Sequence, residues 1–182
     1  MINISAKNLF NLLQNLLHWA GAQTGKLKYE PVEFNLHKQV EDTISVLRAN
    51  AEEKKILLLN EANQKVRITS DKNIFSTVLR NLVSNAIKYT SSEGLIRVRS
   101  EETGNYIQVE VEDNGVGIPE ENMEKLFILE KTFSTKGTSE EDGSGLGLIL
   151  CKEFVEKNGG ELWADSVPGQ GSRFFFTIPK NS

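Results

Sequence analysis

The sequence predicts an α+β fold: an α/β sandwich whose mixed, mostly antiparallel sheet is covered on one face by helices and is preceded by one N-terminal helix. Apolar and polar residues alternate over residues 106–112 and 173–178, which is the period of a half-buried strand. Residues 71–89 instead place apolar side chains at helical spacing, behind an Asp71 that suits a helix N-cap. Both periods within 182 residues favour a sheet and helices that share one core.

The other elements follow in order along the chain. Helical spacing of apolar residues predicts further helices over residues 4–20, 36–51, 119–127 and 148–157. Short apolar runs predict further strands over residues 56–60, 66–68, 94–98 and 161–165. The pattern breaks at residues 21–31, where we place a domain boundary. Gly, Ser and charged residues crowd the segment 132–147, which predicts a loop.

Composition excludes several classes of function. The net charge is −4 and the pI is about 5.4, so overall electrostatics give no reason to expect a nucleic acid partner. The single Cys151 excludes an internal disulfide and fits a reducing compartment. No apolar run approaches the roughly 20 residues of a membrane helix. We therefore expect this piece to be cytoplasmic, whereas a longer parent protein could be anchored in the inner membrane.

One face of the helix predicted over residues 71–89 carries polar chemistry. Asn81, Asn85 and Lys88 stand at positions i, i+4 and i+7 and therefore share that face. A buried face would not collect two amides and an amine without a use for them. Amide oxygens suit Mg²⁺, which also binds substrate phosphates, and a lysine can neutralise phosphate charge. The alternative is a solvated polar face that binds no ligand.

An acidic turn follows the strand predicted over residues 106–112. Asp113 precedes Asn-Gly-Val-Gly, and its carboxylate can accept from an amine such as the exocyclic amine of adenine. Gly115 and Gly117 would let the backbone adopt positive φ and approach a flat base closely. Taken alone, the same residues also fit a turn that joins a strand to a helix without any ligand.

A second glycine loop, at Gly143, Gly145 and Gly147, leads into the helix predicted over residues 148–157. Exposed amides and a helix N-terminus suit phosphate, although a flexible linker would have the same composition. Other nucleotide motifs do not match. Residues 20–27 do not match a phosphate-binding P-loop, because Ala20 stands where that motif has Gly and Leu27 where it has Ser or Thr. Residues 143–147 read GxGxG, which differs from the dinucleotide-binding motif GxGxxG.

Taken in order, these segments resemble the catalytic, ATP-binding domain of a two-component sensor histidine kinase. That domain has the Bergerat ATP-binding fold of the wider gyrase, chaperone, histidine kinase and mismatch-repair ATPase group. The resemblance covers residues 32–179, in which four segments are similar to the asparagine box and the first, second and third glycine boxes: residues 81–89, 113–117, 143–148 and 169–174. Phe127 and Phe133 resemble the phenylalanine box at the base of the ATP lid.

The resemblance implies a role for each matching residue. Asn85 would coordinate Mg²⁺, while Asn81 and Lys88 would face the phosphates of ATP, and these three are the implied catalytic residues. Asp113 would bind the adenine amine, with Tyr89 beside the base. The other implied nucleotide-binding residues are Gly115, Gly117, Ile118, Phe127, Phe133, Lys136, Gly143, Gly145, Leu146, Gly147, Leu148 and Ser172.

Four of these implied roles are more specific. Residues 145–147 would lie against the phosphates, and Gly117 would keep the base pocket open. Ser172 would bind the base through a water molecule. Lys136 would reach the γ-phosphate from the lid, although a solvated surface lysine explains the residue equally well.

Within the group that the chain resembles, the residue type at position 81 distinguishes enzymes that transfer a phosphoryl group from those that hydrolyse ATP. The water-activating ATPases carry a Glu one helical turn before the metal-binding Asn, and here that position is Asn81. An amide is a poor general base, so the chain favours transfer of the phosphoryl group to a protein side chain. Two alternatives stay open: a nucleotide-binding switch module without transfer activity, and a related serine kinase or ATPase.

The sequence lacks the phosphoacceptor motif of the family, which is similar to His-Glu-Leu-Arg-Thr-Pro. His18 is followed by Trp-Ala-Gly and His37 by Lys-Gln-Val, so neither matches. The opening helix resembles the second helix of the dimerisation hairpin, which would put the acceptor helix before residue 1. We therefore expect that hairpin helix over residues 1–24, a linker over 25–31 and the catalytic domain over 32–182.

The implied partners are ATP, the phosphoacceptor helix of the parent kinase, the receiver domain of a response regulator and, in the full-length protein, a second copy in a homodimer. We hypothesise that this fragment binds ATP but cannot phosphorylate itself, because it lacks the acceptor motif. We also hypothesise that it self-associates through the apolar opening helix.

Overall fold

The computed structural model describes residues 29–128, 137–139 and 145–180. Within these ranges the strands are β1 Val32–Asn35, β2 Leu57–Glu61, β3 Arg67–Ser70, β4 Leu95–Thr103, β5 Tyr106–Asp113, β6 Leu162–Val167 and β7 Gly171–Pro179. The helices are α1 Leu36–Ser45, α2 Arg48–Glu53, α3 Lys72–Tyr89, α4 Glu120–Met123 and α5 Gly147–Lys157. The helix predicted over residues 4–20 lies outside the described residues.

Five of these strands form one mixed sheet in the order β2-β4-β5-β7-β6. β2 runs parallel to β4, and every other neighbouring pair in that sheet is antiparallel. β1 and β3 pair separately as a two-stranded antiparallel ribbon. The prediction of a mixed, mostly antiparallel sheet is confirmed.

The core lies between one face of the five-stranded sheet and helices α1, α3 and α5. β5 alternates as its sequence predicts, with Ile107, Val109 and Val111 buried against the helices. α3 is the central helix and contacts both α1 and α5. It begins where the sequence predicts, because the Asp71 carboxylate accepts from the backbone N–H groups of Asn73 and Ile74 at 2.8 and 3.1 Å.

Two predicted helices differ from the structure. The helix predicted over residues 36–51 is interrupted between α1 and α2, where the Ser45 hydroxyl donates to the Asp42 carbonyl at 2.9 Å. That local hydrogen bond competes with the helical ladder, and the chain turns so that Leu47 is buried while Val46 is exposed. The helix predicted over residues 119–127 is the single turn α4, because the chain after it continues with i to i−3 backbone bonds.

None of the described helices is both long and apolar enough to cross a membrane.

Candidate functional site

The C-terminal half of α3 presents the polar face that the sequence predicts. Its other faces are buried in the core through Leu82, Val83, Ala86 and Ile87 among others. Asn81, Asn85 and Lys88 are half-buried along the remaining face. Packing of the apolar faces therefore fixes the direction in which the polar side chains point.

The Asn81 amide is held between two elements. Its Nδ2 donates to the Thr77 carbonyl one turn earlier, at 3.0 Å. Its Oδ1 points to the first residue of α5, since a Cβ added at Gly147 would stand 2.9 Å from that oxygen. A glycine at position 147 thus lets α5 approach the polar face of α3, which brings together the segments that resemble the asparagine box and the second glycine box.

Asn85 and Lys88 differ in their contacts. Asn85 makes no side-chain hydrogen bond within the part of the chain that the structure describes. The Lys88 ammonium donates to the Tyr89 hydroxyl at 3.0 Å and lies 4.7 Å from the centroid of that ring. The amide of Asn85 is therefore available to a ligand, whereas Lys88 and Tyr89 form one cationic and aromatic pair.

Asp113 ends β5 with its side chain buried, at 5% exposure. Burial raises the pKa of this carboxyl to about 6, although hydrogen bonds from the backbone of Gly115 and Ser172 act to lower it. Gly115 N donates to Asp113 Oδ1 at 2.8 Å, which holds the carboxylate in place. At neutral pH the group is mainly an anion that can accept a hydrogen bond from an amine.

The turn after Asp113 packs against both neighbouring elements. Val116 N donates to the carbonyl of Tyr89 at 3.1 Å, which joins the turn to the end of α3. Gly117 has φ +69, and a Cβ there would stand 2.2 Å from the carbonyl oxygen of Val167 on β6. Both the conformation and the close approach therefore require glycine at 117.

A pair of serines connects β6 and β7 behind the turn. Ser166 Oγ donates to the Gly171 carbonyl at 2.8 Å, accepts from Ile118 N at 2.8 Å and lies 3.0 Å from Ser172 Oγ. Ser172 is in register with Asp113 across β5 and β7. The sequence prediction included Ser172 but missed Ser166, because only strand pairing brings the two serines together.

The remaining predicted residues lie around this centre or outside the described ranges. Ile118, Phe127 and Leu148 are half-buried and pack against the core, and the Lys152 ammonium lies 5.3 Å from the Phe127 ring centroid. Gly145 and Leu146 immediately precede α5, whose first turn has no side-chain cap. Three predicted residues lie outside the described ranges: Phe133, Lys136 and Gly143.

The sequence also carries no indication of two residues that contact the end of α3. The Lys54 ammonium donates to the carbonyl of Ile87 at 2.8 Å, and Thr138 N donates to the carbonyl of Lys88 at 3.0 Å. No local pattern marks either residue, because each contact joins distant parts of the chain.

Comparisons with known proteins show the family of this chain. Residues 70–182 match the family of histidine kinase-, DNA gyrase B- and HSP90-like ATPases. The chain is 32% identical over 184 residues to the sensor protein GacS of Pseudomonas syringae pv. syringae, covering 97% of this chain and 20% of that protein. It is 35% identical over 170 residues to the adaptive-response sensory kinase SasA of Rippkaea orientalis, covering 92% of this chain and 43% of that protein. The chain thus spans less than half the length of these relatives.

Solved structures show the same likeness. The catalytic domain of the histidine kinase ThkA matches with a TM-score of 0.72 at 34% identity, over 83% of this chain and 96% of that one. ThkA in complex with the response regulator protein TrrA matches with a TM-score of 0.75 at 29% identity, over 99% of this chain and 50% of that one.

Proposed function

Since this chain belongs to the family of histidine kinase-, DNA gyrase B- and HSP90-like ATPases and carries the ATP-binding catalytic domain of a sensor histidine kinase, we propose that it positions Mg-ATP for transfer of the γ-phosphoryl group to a histidine of another segment. One observation carries the proposal. The polar face of α3 lies between the turn after Asp113 and the first residue of α5. Residues suited to adenine and residues suited to phosphate therefore lie along one helix.

The adenine end of the proposed site is centred on Asp113. Its buried carboxylate would accept a hydrogen bond from the exocyclic amine of the base, and Gly117 lets the turn beside it pack closely against β6. Tyr89 lies next to this turn through the hydrogen bond between its carbonyl and Val116 N. Ser172 is near the same carboxylate, and its hydroxyl contacts Ser166. A water molecule between Ser172 and the base would complete the recognition of adenine.

The phosphate end is formed by α3 and the start of α5. The first turn of α5 offers backbone N–H groups without a side-chain cap, which suits phosphate oxygens. Lys88 supplies a positive charge. Asn85 would hold Mg²⁺ together with the phosphates, because its amide oxygen is a hard ligand and that ion is usually bound through few protein groups. The ion would neutralise charge on the phosphates during transfer.

The contacts of Asn81 support transfer over hydrolysis. Its amide donates to the Thr77 carbonyl, and no carboxylate occupies that position to activate a water molecule. In the proposed reaction an imidazole nitrogen forms the new bond to phosphorus as the bond to the β,γ-bridging oxygen breaks, and ADP leaves. Positioning and charge neutralisation provide the rate enhancement.

The proposed phosphoryl transfer requires partners outside this chain. The acceptor histidine would belong to a dimerisation hairpin of the parent protein, with residues 1–24 as its second helix and 25–31 as the linker to a catalytic domain over 32–182. A cytoplasmic response regulator would then receive the phosphoryl group, as the complex of ThkA with TrrA suggests for a related kinase. A homodimer would bring the hairpins of two copies together.

Calorimetric titration of a non-hydrolysable ATP analogue with Mg²⁺ tests the site. We expect binding that weakens at least tenfold in Asp113→Asn and in Asn85→Ala, since each change removes a hydrogen bond to a charged group or a metal ligand. The loss in Asn85→Ala should depend on Mg²⁺, whereas the loss in Asp113→Asn should persist in EDTA.

The matched control is Ser84→Ala, which changes the exposed residue next to Asn85 on α3. It should bind the analogue as the original chain does. Equal affinity in all four proteins, or no binding by the original chain, would contradict the proposed site.

A further inference from the structure

The last carbonyl groups of α3 are bound by residues from other parts of the chain. A helix leaves its last four carbonyls without partners in its own ladder. The Tyr89 carbonyl accepts from Val116 N at 3.1 Å. The carbonyls of Ile87 and Lys88 accept from Lys54 and from Thr138, which lie far away in the sequence.

Lys54 forms three contacts at this helix end. Its ammonium donates to the carbonyl of Ile87 at 2.8 Å, to that of Lys88 at 3.2 Å and to Thr138 Oγ1 at 2.7 Å. An ammonium group has three donors, and a positive charge is favourable at the C-terminus of a helix. The backbone of Lys54 is itself held, because its carbonyl accepts from Glu93 N at 3.2 Å.

Thr138 attaches its own segment to the same place. Its backbone N–H donates to the carbonyl of Lys88 at 3.0 Å. Its hydroxyl lies 3.1 Å from that oxygen and 2.9 Å from the carbonyl of Thr90, and it accepts from Lys54. Residues 137–139 are thus joined to the end of α3 through one backbone N–H group, one hydroxyl and the Lys54 ammonium.

We propose that Lys54 and Thr138 are positioning residues for the bound nucleotide. This inference rests on the proposed function, because Lys88 and Tyr89 are the last residues of α3 and Asn85 lies one turn before them. Helix ends fray when their carbonyls lack partners, and fraying here would displace Lys88 and Tyr89. The contact between Lys54 and Thr138 couples the two residues, so that loss of either one loosens the same turn.

The alternative is a purely stabilising helix cap. Such a cap would raise the melting temperature but would leave the affinity of the folded protein for nucleotide unchanged. Affinity measured well below the melting temperature, on chains shown to be folded by circular dichroism, therefore separates the two roles. Thr138 is exposed, so its variants are expected to fold.

The experiment compares Lys54→Met, Thr138→Val and the double variant in calorimetric titration with a Mg-bound ATP analogue. Each single variant should bind about threefold to tenfold more weakly, the range expected for loss of one or two hydrogen bonds. The double variant should lose less than the product of the single losses, because both changes remove the same contact. Thr138→Ser keeps the hydroxyl and should restore affinity.

The matched control is Lys55→Met, which removes the neighbouring exposed ion pair with Glu93 and should leave affinity unchanged. Unchanged affinity in Lys54→Met and Thr138→Val, with a lowered melting temperature, would overturn the inference and leave the proposed function intact. If the original chain fails to bind the analogue, both fail. Multiplicative losses in the double variant would overturn the coupling between the two residues.

Discussion

Asp113 combines burial with a proposed role, binding of the adenine amine, that requires a negative charge. Its carboxyl has a pKa of about 6 in the folded chain because burial disfavours the anion. An aspartate in an unfolded chain titrates near a pH of about 4. Between these two values the folded chain binds a proton that the unfolded chain has released, so stability is highest below the unfolded pKa and is lost as pH rises through about 6. Above that pH the anion costs the folded state on the order of 3 kcal/mol.

The variant Asp113→Asn tests this cost. A neutral amide can still accept from Gly115 N, so the turn should persist while the penalty for a buried anion disappears. We expect the free energy of unfolding at pH 8 to rise by about 1–3 kcal/mol, with little change at pH 4. Urea unfolding of the nucleotide-free chain at pH 4 and pH 8 measures this change in the free energy of unfolding.

Asp165→Asn is the control for that measurement, because Asp165 is an exposed carboxylate on β6. It should leave the difference in stability between pH 4 and pH 8 unchanged. An Asp113→Asn variant that is less stable than the original chain at pH 8 would contradict the account of Asp113.

The order of residue types within short segments predicted some residues of the proposed nucleotide site but not others. Asp113 and Asn85 stand out because each belongs to a short segment with a recognisable order of residue types. Ser166 and Lys54 do not, since the partner of each lies far along the chain: Ile118 N for Ser166 and Thr138 Oγ1 for Lys54. Residues that support a site from a distance therefore require the fold before they can be found.

For the helices and strands, the spacing of apolar residues predicted the type of element better than the residues at which it begins and ends. α3 and β5 were predicted closely because each combines a long, regular period with a burial pattern that matches it. The break between α1 and α2 was missed, because it depends on the hydroxyl of Ser45 and the burial of Leu47. β1 was missed because four residues carry too little pattern, and its pairing with β3 defines it.

The contact between α5 and α3 gives a prediction at this scale. In Gly147→Ala the new methyl group would stand 2.9 Å from Asn81 Oδ1, and the amide is the part that can move. Alanine also favours a helix over glycine, so stability should hold or rise by up to about 1 kcal/mol. Phosphoryl transfer should nevertheless fall at least tenfold, because the displaced amide would no longer face the phosphates in the proposed site.

Single-turnover transfer from ATP and thermal unfolding, measured on the same preparation, check this prediction. Gly104→Ala serves as a control, since no atom lies within 4 Å of a Cβ at that position, which is in the turn between β4 and β5. Its positive φ makes some loss of stability expected, but transfer should persist. A Gly147→Ala variant with full transfer activity would show that the approach of α5 to Asn81 has no catalytic role.

In the molecule as a whole, the two faces of the five-stranded sheet have different surroundings. The face toward α3 holds the core, and the opposite face carries ion pairs, among them those of Arg97 and Arg99 with Glu112 at 3.2 and 3.0 Å. Such solvent-accessible pairs contribute little to stability. The proposed nucleotide site lies at the end of the covered face, where α3, the turn after β5 and the start of α5 meet. Bound nucleotide should therefore stabilise the fold as a whole.

We propose that this chain transfers a phosphoryl group to a histidine that it does not contain. The most direct measurement mixes the chain with γ-labelled ATP, Mg²⁺ and a separately supplied dimerisation hairpin from a related histidine kinase. We expect acid-labile label on the hairpin histidine, no label on His18 or His37, and loss of label in Asn85→Ala. Binding of ATP without label on any hairpin supplied, or release of free phosphate at an equal rate without the hairpin, would contradict it.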